Sequence, residues 1–124
     1  MNYINTITTG KLGEDMAVEF LISLGYKIIH RNYYSQYGEI DIIALYDDLL
    51  VFLEVKTRSS NLSSALSSVS FAKQLKLSKT ASFFLSQNHQ YEDHFTRFDL
   101  IVVLKKPDST KIKHYKDAFT PISE

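Results

Sequence analysis

A chain of 124 residues, 44% hydrophobic and 23% charged, can bury one core and is too short for two domains of ordinary size, so a single domain over residues 1–124 is expected. It has no cysteine, which excludes disulfides, thiolate zinc sites and cysteine nucleophiles and suits a reducing, cytoplasmic compartment. Lys and Arg number 14, as do Asp and Glu, so the chain as a whole is not built for strong phosphate neutralisation, and no run approaches a membrane span or a signal-peptide core.

Lys11 to Leu24 reads as a helix, with Ala17, Phe20, Leu21 and Leu24 on one face and Gly25 as its stop. Tyr26 to Tyr33 is an expected strand, followed by a polar turn through Ser35, Gln36, Tyr37 and Gly38. Gly38 to Tyr46 and Leu49 to Arg58 form an expected hairpin around Asp47-Asp48, residues that hydrogen-bond locally in turns. Ser59 to Ser68, rich in serine, reads as an exposed loop. A second helix is expected over Val69 to Gln87, with Val69, Ala72, Leu75, Ala81, Phe84 and Leu85 toward the core. After a polar connector from Asn88 to His94, Arg97 to Leu104 is a strand, and Ile112 to Phe119 adds an edge strand beyond the Pro107-Asp108 turn. The order is αβββαββ, a mixed α/β domain with helices packed on a central sheet.

The hairpin carries the informative pattern. If Asp47-Asp48 is the turn, Tyr46 pairs with Leu49, and counting back sets Asp41 opposite Glu54 and Glu39 opposite Lys56, all on one face. Carboxylates facing each other across a ladder lie about 5 Å apart at Cβ and repel. A divalent cation with a lysine nearby would compensate them. Mg²⁺ takes oxygen ligands and keeps several waters, so Asp41, Glu54 and the carbonyl of Val55 suffice to hold it. Such an ion polarises a phosphoryl group and activates water, and Lys56 is placed to assist. The bland alternative is a solvated strand end with a Glu39–Lys56 ion pair. Ile43, Leu45, Leu50 and Phe52 on the same face argue for burial at its other end.

Glu14 lies at helical spacing from Ala17 and Leu21, on or beside the apolar face. It reads either as a fourth acid directed at the same ion or as a helix N-terminal acid favoured by the macrodipole.

Taken in order, Gly13-Glu14, Gly38-Glu39-Ile40-Asp41, Phe52-Leu53-Glu54-Val55-Lys56-Thr57-Arg58 and Arg97-Phe98-Asp99 resemble the YraN family of small bacterial proteins. That family is similar to the restriction-endonuclease-like superfamily, especially archaeal Holliday-junction resolvases. The likeness runs from about Gly10 to Phe119. It implies a restriction-endonuclease-like fold, an acid–acid–lysine signature of Asp41, Glu54 and Lys56, and Glu14 as the fourth acidic position. The Ser59 to Ser68 stretch departs from the glycine-containing loop such proteins often carry.

Other candidates are weaker. Arg58 reads as a phosphate contact or an ordinary surface arginine, and Lys73 and Gln74 are the best candidates on the second helix for meeting nucleic acid. Tyr33, Tyr34 and Tyr37 could stack on bases but are more often packing residues. Arg97 and Asp99 read as a structural ion pair, and the four histidines show no metal-ligand spacing. The expectation is therefore an endonuclease acting on DNA phosphodiesters with Mg²⁺ or Mn²⁺. Its substrate would be branched DNA, with RNA as a variant, and a homodimer would suit cleavage of two strands. The rival is a non-catalytic nucleic-acid-binding or scaffold module with a vestigial site.

Overall fold

This computed structural model describes residues 3–59 and 69–122, and the serine-rich loop expected at Ser59 to Ser68 lies, beyond Ser59, outside the described residues. Helix α1 runs over Tyr3–Ser23, and the strands β1, β2 and β3 over Lys27–Ser35, Gly38–Tyr46 and Leu49–Arg58. Helix α2 spans Phe71–Gln87, a single 3₁₀ turn follows at His89–Tyr91, and β4 and β5 occupy Phe95–Lys106 and Ser109–Phe119. The order αβββαββ and the mixed α/β class stand as expected, in agreement with the restriction-endonuclease-like architecture that the resemblance implies.

The five strands form one sheet in chain order, antiparallel except for β3 and β4, which run parallel. A parallel pair needs a crossover connection, and α2 lies in it. Side-chain alternation divides the core between the two faces. Ile43, Leu50, Phe52, Leu100 and Val102 meet Leu77, Ala81 and Phe84 of α2. Ile42, Ala44, Val51, Leu53, Ile101 and Val103 meet Ala17 and Leu21 of α1 on the other face. Each Val, Leu, Ile or Phe among them contributes about 1.5–3 kcal/mol on full burial.

Helix α1 begins at Tyr3, earlier than the expected Lys11. It ends in a Schellman arrangement, with Tyr26 N–H donating to the Leu21 carbonyl and Gly25 N–H to that of Ile22, both at 3.0 Å. Gly25 takes φ +94° there. Because the helix stops at Ser23, Leu24 has left the apolar face and is 47% exposed, against its expected core position. Gly13 brings the helix onto β3, since a Cβ there would overlap Thr57 Oγ1.

Helix α2 starts two residues later than expected, at Phe71, because Ser70 caps it by accepting the Lys73 N–H at 3.2 Å. Its buried stripe is Leu77, Ser78, Thr80, Ala81 and Phe84. Val69, Ala81 and Phe84 are buried as expected and Leu85 packs against them, whereas Ala72 is exposed and Leu75 only partly covered. Among the described residues, no helix is long and apolar enough to cross a membrane.

Candidate active site

The β2–β3 register is the one counted from the turn: Tyr46 faces Leu49, Ala44 faces Val51 and Ile42 faces Leu53. Asp47 supports the turn with φ +53°, a conformation that Asp tolerates better than most residues. A two-residue loop closes on a hydrogen-bonded pair, and such pairs recur every second residue, so Ile40 and Val55 would come next. The ladder ends before them, and neither Asp41 with Glu54 nor Glu39 with Lys56 forms a ladder pair. In place of the Ile40 carbonyl, the Asp41 carboxyl accepts the Val55 N–H at 2.8 Å. The N–H and C=O of a strand residue point to the same side. The Val55 carbonyl is therefore directed into the gap where β2 has pulled away.

The matching irregularity lies on β1. Arg31 pairs with Ile42 and Tyr33 with Ile40, which puts Asn32 across from Asp41. Asn32 has φ +52°. Its amide and the Arg31 guanidinium both turn to the α1 face, where they donate to Glu14 Oε1 at 3.0 and 3.1 Å. Tyr33 turns to the α2 face against Phe84. On β2 the alternation breaks at the same level, since Ile40 shares the α2-side cluster with Ile43.

This separation opens a pocket of about 540 Å³ between the strand ends and the first turns of α2, lined by Asp41, Glu54, Val55, Lys56, Lys73 and Lys76 among others. Glu54 is only 4% exposed. Lys73 Nζ sits 2.6 Å from Glu54 Oε2 and Lys56 Nζ sits 3.7 Å from the same oxygen. Burial, with the Glu54 charge and a shared hydrogen bond next to it, pushes Asp41 up to about 8, against the opposing pull of the Val55 N–H. Burial and the neighbouring Lys73 lower Lys56. Burial alone would lower Lys73 too, but its hydrogen bonds to Glu54 and Lys56 and the charges of Glu54 and Asp41 together outweigh it, and it is raised. Without a divalent ion the repulsion between the carboxylates is thus relieved from within, by a proton on Asp41 and the ammonium of Lys73.

The donor set suits a hard cation. Among the described residues no three His, Cys, Asp or Glu side chains group as a metal site, so an ion here would rest on two carboxylates, the Val55 carbonyl and water. That is the sparse oxygen coordination at which Mg²⁺ is at home.

A model of the uncharacterised protein family UPF0102 matches residues 13–103, which take in Glu14 and every residue of the pocket. The chain belongs to the UPF0102 family. This is the YraN family of the sequence resemblance. The UPF0102 protein of Caldicellulosiruptor bescii is 41% identical over 119 residues, 94% of this chain and 100% of its own length. That of Caldanaerobacter subterraneus subsp. tengcongensis is 38% identical over 123 residues, 96% of this chain and 100% of its own. A third, from a Sulfurihydrogenibium species, is 46% identical over 112 residues, 90% of this chain and 93% of its own.

In this UPF0102 protein, the expected residues Asp41, Glu54, Val55 and Lys56 come together in one pocket. Glu14 does not line it. Its partners are Arg31 and Asn32 on the α1 face, although its charge still contributes to raising Asp41. Lys73 lies in the pocket, while the Gln74 amide is engaged with the Val69 carbonyl at 3.0 Å and braces the start of α2. Arg58 turns back on the Thr57 carbonyl at 2.9 Å, close enough to Lys56 to help lower it. Tyr33 is a packing residue, and Tyr34, which is 69% exposed, faces Glu39 across the β1–β2 ladder, and Glu39 raises its pKa. Arg97 and Asp99 form the expected ion pair, with two contacts of 2.8 Å, joined by His114, Tyr26 and the Asp117 N–H. The direct hold of Lys73 on Glu54 had no sequence signal beyond the phase of α2.

Proposed function

We propose that this UPF0102 protein is a cytoplasmic metal-dependent nuclease that hydrolyses DNA phosphodiester bonds, with Mg²⁺ or Mn²⁺ held by Asp41, Glu54 and the Val55 carbonyl. The observation that carries the reading is the pair of acids drawn together where β2 leaves β3, with Lys56 on the same side of the same strand. A purely structural strand end has no need to desolvate two carboxylates and two lysines in one open pocket, and perturbed groups of this kind concentrate at functional sites.

The chemistry such an ion supplies is charge neutralisation on a phosphoryl oxygen and activation of water near neutral pH. Asp41 and Glu54 provide the charge that holds it. Lys56, with its proton affinity lowered by burial and by Lys73, is suited to exchange a proton with the attacking water or to meet charge developing on the phosphate. Branched DNA is the substrate class carried over from the resolvase resemblance, and two copies related by a two-fold axis would cut its two strands symmetrically.

The test is incubation with linear, nicked, flapped and four-way DNAs, and with RNA counterparts, in Mg²⁺, Mn²⁺ or chelator, beside Asp41→Ala. Divalent-dependent cleavage lost in the variant supports the reading; none on any substrate removes it. The second reading is a nucleic-acid-binding module with a vestigial site. It draws on the zero net charge and on the way Lys73 already satisfies Glu54.

A further inference from the structure

We infer that Lys73 is a built-in competitor for the cation: it holds Glu54 in the metal-free protein, must withdraw before an ion is ligated, and on withdrawing becomes a phosphate contact. The inference rests on the proposed metal site and adds the residue that regulates its loading.

Three observations support it. The Lys73 ammonium lies 2.6 Å from Glu54 Oε2, nearer than the 3.7 Å of Lys56, so it already neutralises the carboxylate that an ion would need. Its side chain is 39% exposed against 19% for Lys56 and 4% for Glu54, which leaves it an open path to solvent. Its backbone is fixed in the first turn of α2 by the Ser70 cap. A long flexible stem on a fixed backbone can move its charged head several ångströms without disturbing the fold. Lys56 cannot take the competing role as well, since it is the more enclosed and the farther from the oxygen.

A divalent ion and an ammonium held side by side on one carboxylate repel each other across a few ångströms in a partly buried site. The two states therefore exchange, and apparent metal affinity falls with the fraction of molecules in which Glu54 is free. If that fraction is about one tenth or less, removing the competitor tightens binding about tenfold or more. The displaced ammonium is left facing the mouth of the same pocket, where a phosphate of the substrate would meet it.

The test is direct Mn²⁺ and Mg²⁺ binding by calorimetry at pH 8 for wild type, Lys73→Met and, as a control in the same pocket, Lys76→Met. Lys73→Met is expected to bind metal about tenfold more tightly than wild type and to bind DNA with a shallower salt dependence, while Lys76→Met, which removes a pocket charge that does not hold Glu54, gains much less; equal gains in the two variants would reduce the effect to pocket charge and overturn the inference. If Lys73 instead buttresses Glu54 while metal is bound, Lys73→Met will bind metal equally or more weakly, and the inference fails with the metal site intact. If the wild type and both variants bind no metal, the metal site itself fails. Amine footprinting of the wild type needs no variant. Reductive methylation of Lys73 should rise on adding Mn²⁺, and an unchanged or reduced yield overturns the displacement.

Discussion

The Asp41 carboxyl accepts the backbone N–H of Val55 at 2.8 Å, in the place that the Ile40 carbonyl would fill if the β2–β3 ladder ran on. One substitution of a side-chain oxygen for a main-chain oxygen does two things. It anchors Asp41 beside Glu54, and it leaves the Val55 carbonyl aimed into the pocket without its strand partner. The electrostatics of the site and its oxygen donors share this origin.

The first prediction concerns pH. Asp41 is raised from an ordinary 3.8 to about 8 in the folded protein, so between those values the folded state binds more protons than the unfolded one. Stability from this group is complete below the unfolded value and is lost as pH rises through the folded one. Metal-free protein should therefore melt lower at pH 8.5 than at pH 6, and Asp41→Asn should flatten that slope. A divalent ion competes with the proton, so stabilisation by Mg²⁺ should grow over the same interval in wild type and vanish in Asp41→Asn. Melting temperatures with Mg²⁺ or chelator across this range decide it.

The fit of α1 against β3 gives a second. A Cβ on Gly13 would overlap Thr57 Oγ1 and stand 3.4 Å from Thr57 Cβ. Gly13→Ala should destabilise the protein by about 1–3 kcal/mol, the usual range for overpacking. Thr57→Ala in the same chain should recover much of the loss, since it removes the offending oxygen. Urea denaturation of the two single variants and the double one measures the coupling, and strict additivity would show that the contact does not limit the packing.

The register of the hairpin was legible because a two-residue turn leaves only one way to count, and the apolar runs Ile42 to Leu45 and Leu49 to Leu53 gave no reason to slip it. The Arg97–Asp99 pair was legible for the similar reason that alternate residues of one strand share a face. Where the ladder would end was not legible. It coincides with Asn32 taking a left-handed conformation on a neighbouring strand, a choice that pattern does not reveal. The partners of Glu14 were hidden in the same way, because the irregularity at Asn32 is what turns two successive β1 side chains toward α1. Lys73 reaches Glu54 only because Ser70, rather than an earlier residue, starts α2 and sets the rotation of its first turn.

A third prediction separates scaffold from site. Asp99 is fully buried on the α1 face, held by Arg97, His114 and the Asp117 N–H. Burial would raise its pKa, but these partners together depress it. Its contribution to stability is therefore present above the unfolded value and lost as pH falls through the lower folded one. Arg97→Ala strips that buried charge of its two-pronged partner and should cost about 3–5 kcal/mol. Metal affinity, measured by calorimetry well below the melting temperature, should stay unchanged, because the pocket opens on the opposite face. A weakened metal affinity in folded Arg97→Ala would mean the two faces are coupled through β4.

The last prediction distinguishes enzyme from binding module through Lys56. An ammonium is not a metal ligand, so Lys56→Ala should keep Mg²⁺ affinity within a few-fold of wild type, and Lys73 still reaches Glu54 in the variant. If the protein cleaves DNA, the rate should nevertheless fall about 10²-fold or more, the scale for losing a positioned proton-transfer or charge-stabilising group. DNA affinity should drop only slightly, since one phosphate contact is a small share of the total. If the domain only binds, Lys56→Ala and the exposed-lysine variant Lys76→Ala should lose similar, small amounts of affinity, and divalent-dependent cleavage should be absent from both and from wild type. Single-turnover cleavage and salt-titrated DNA binding on the three proteins separate these patterns. A rate loss confined to Lys56→Ala assigns it to the chemistry, while equal losses in both lysine variants would leave Lys56 no role beyond the positive charge the pocket lysines share.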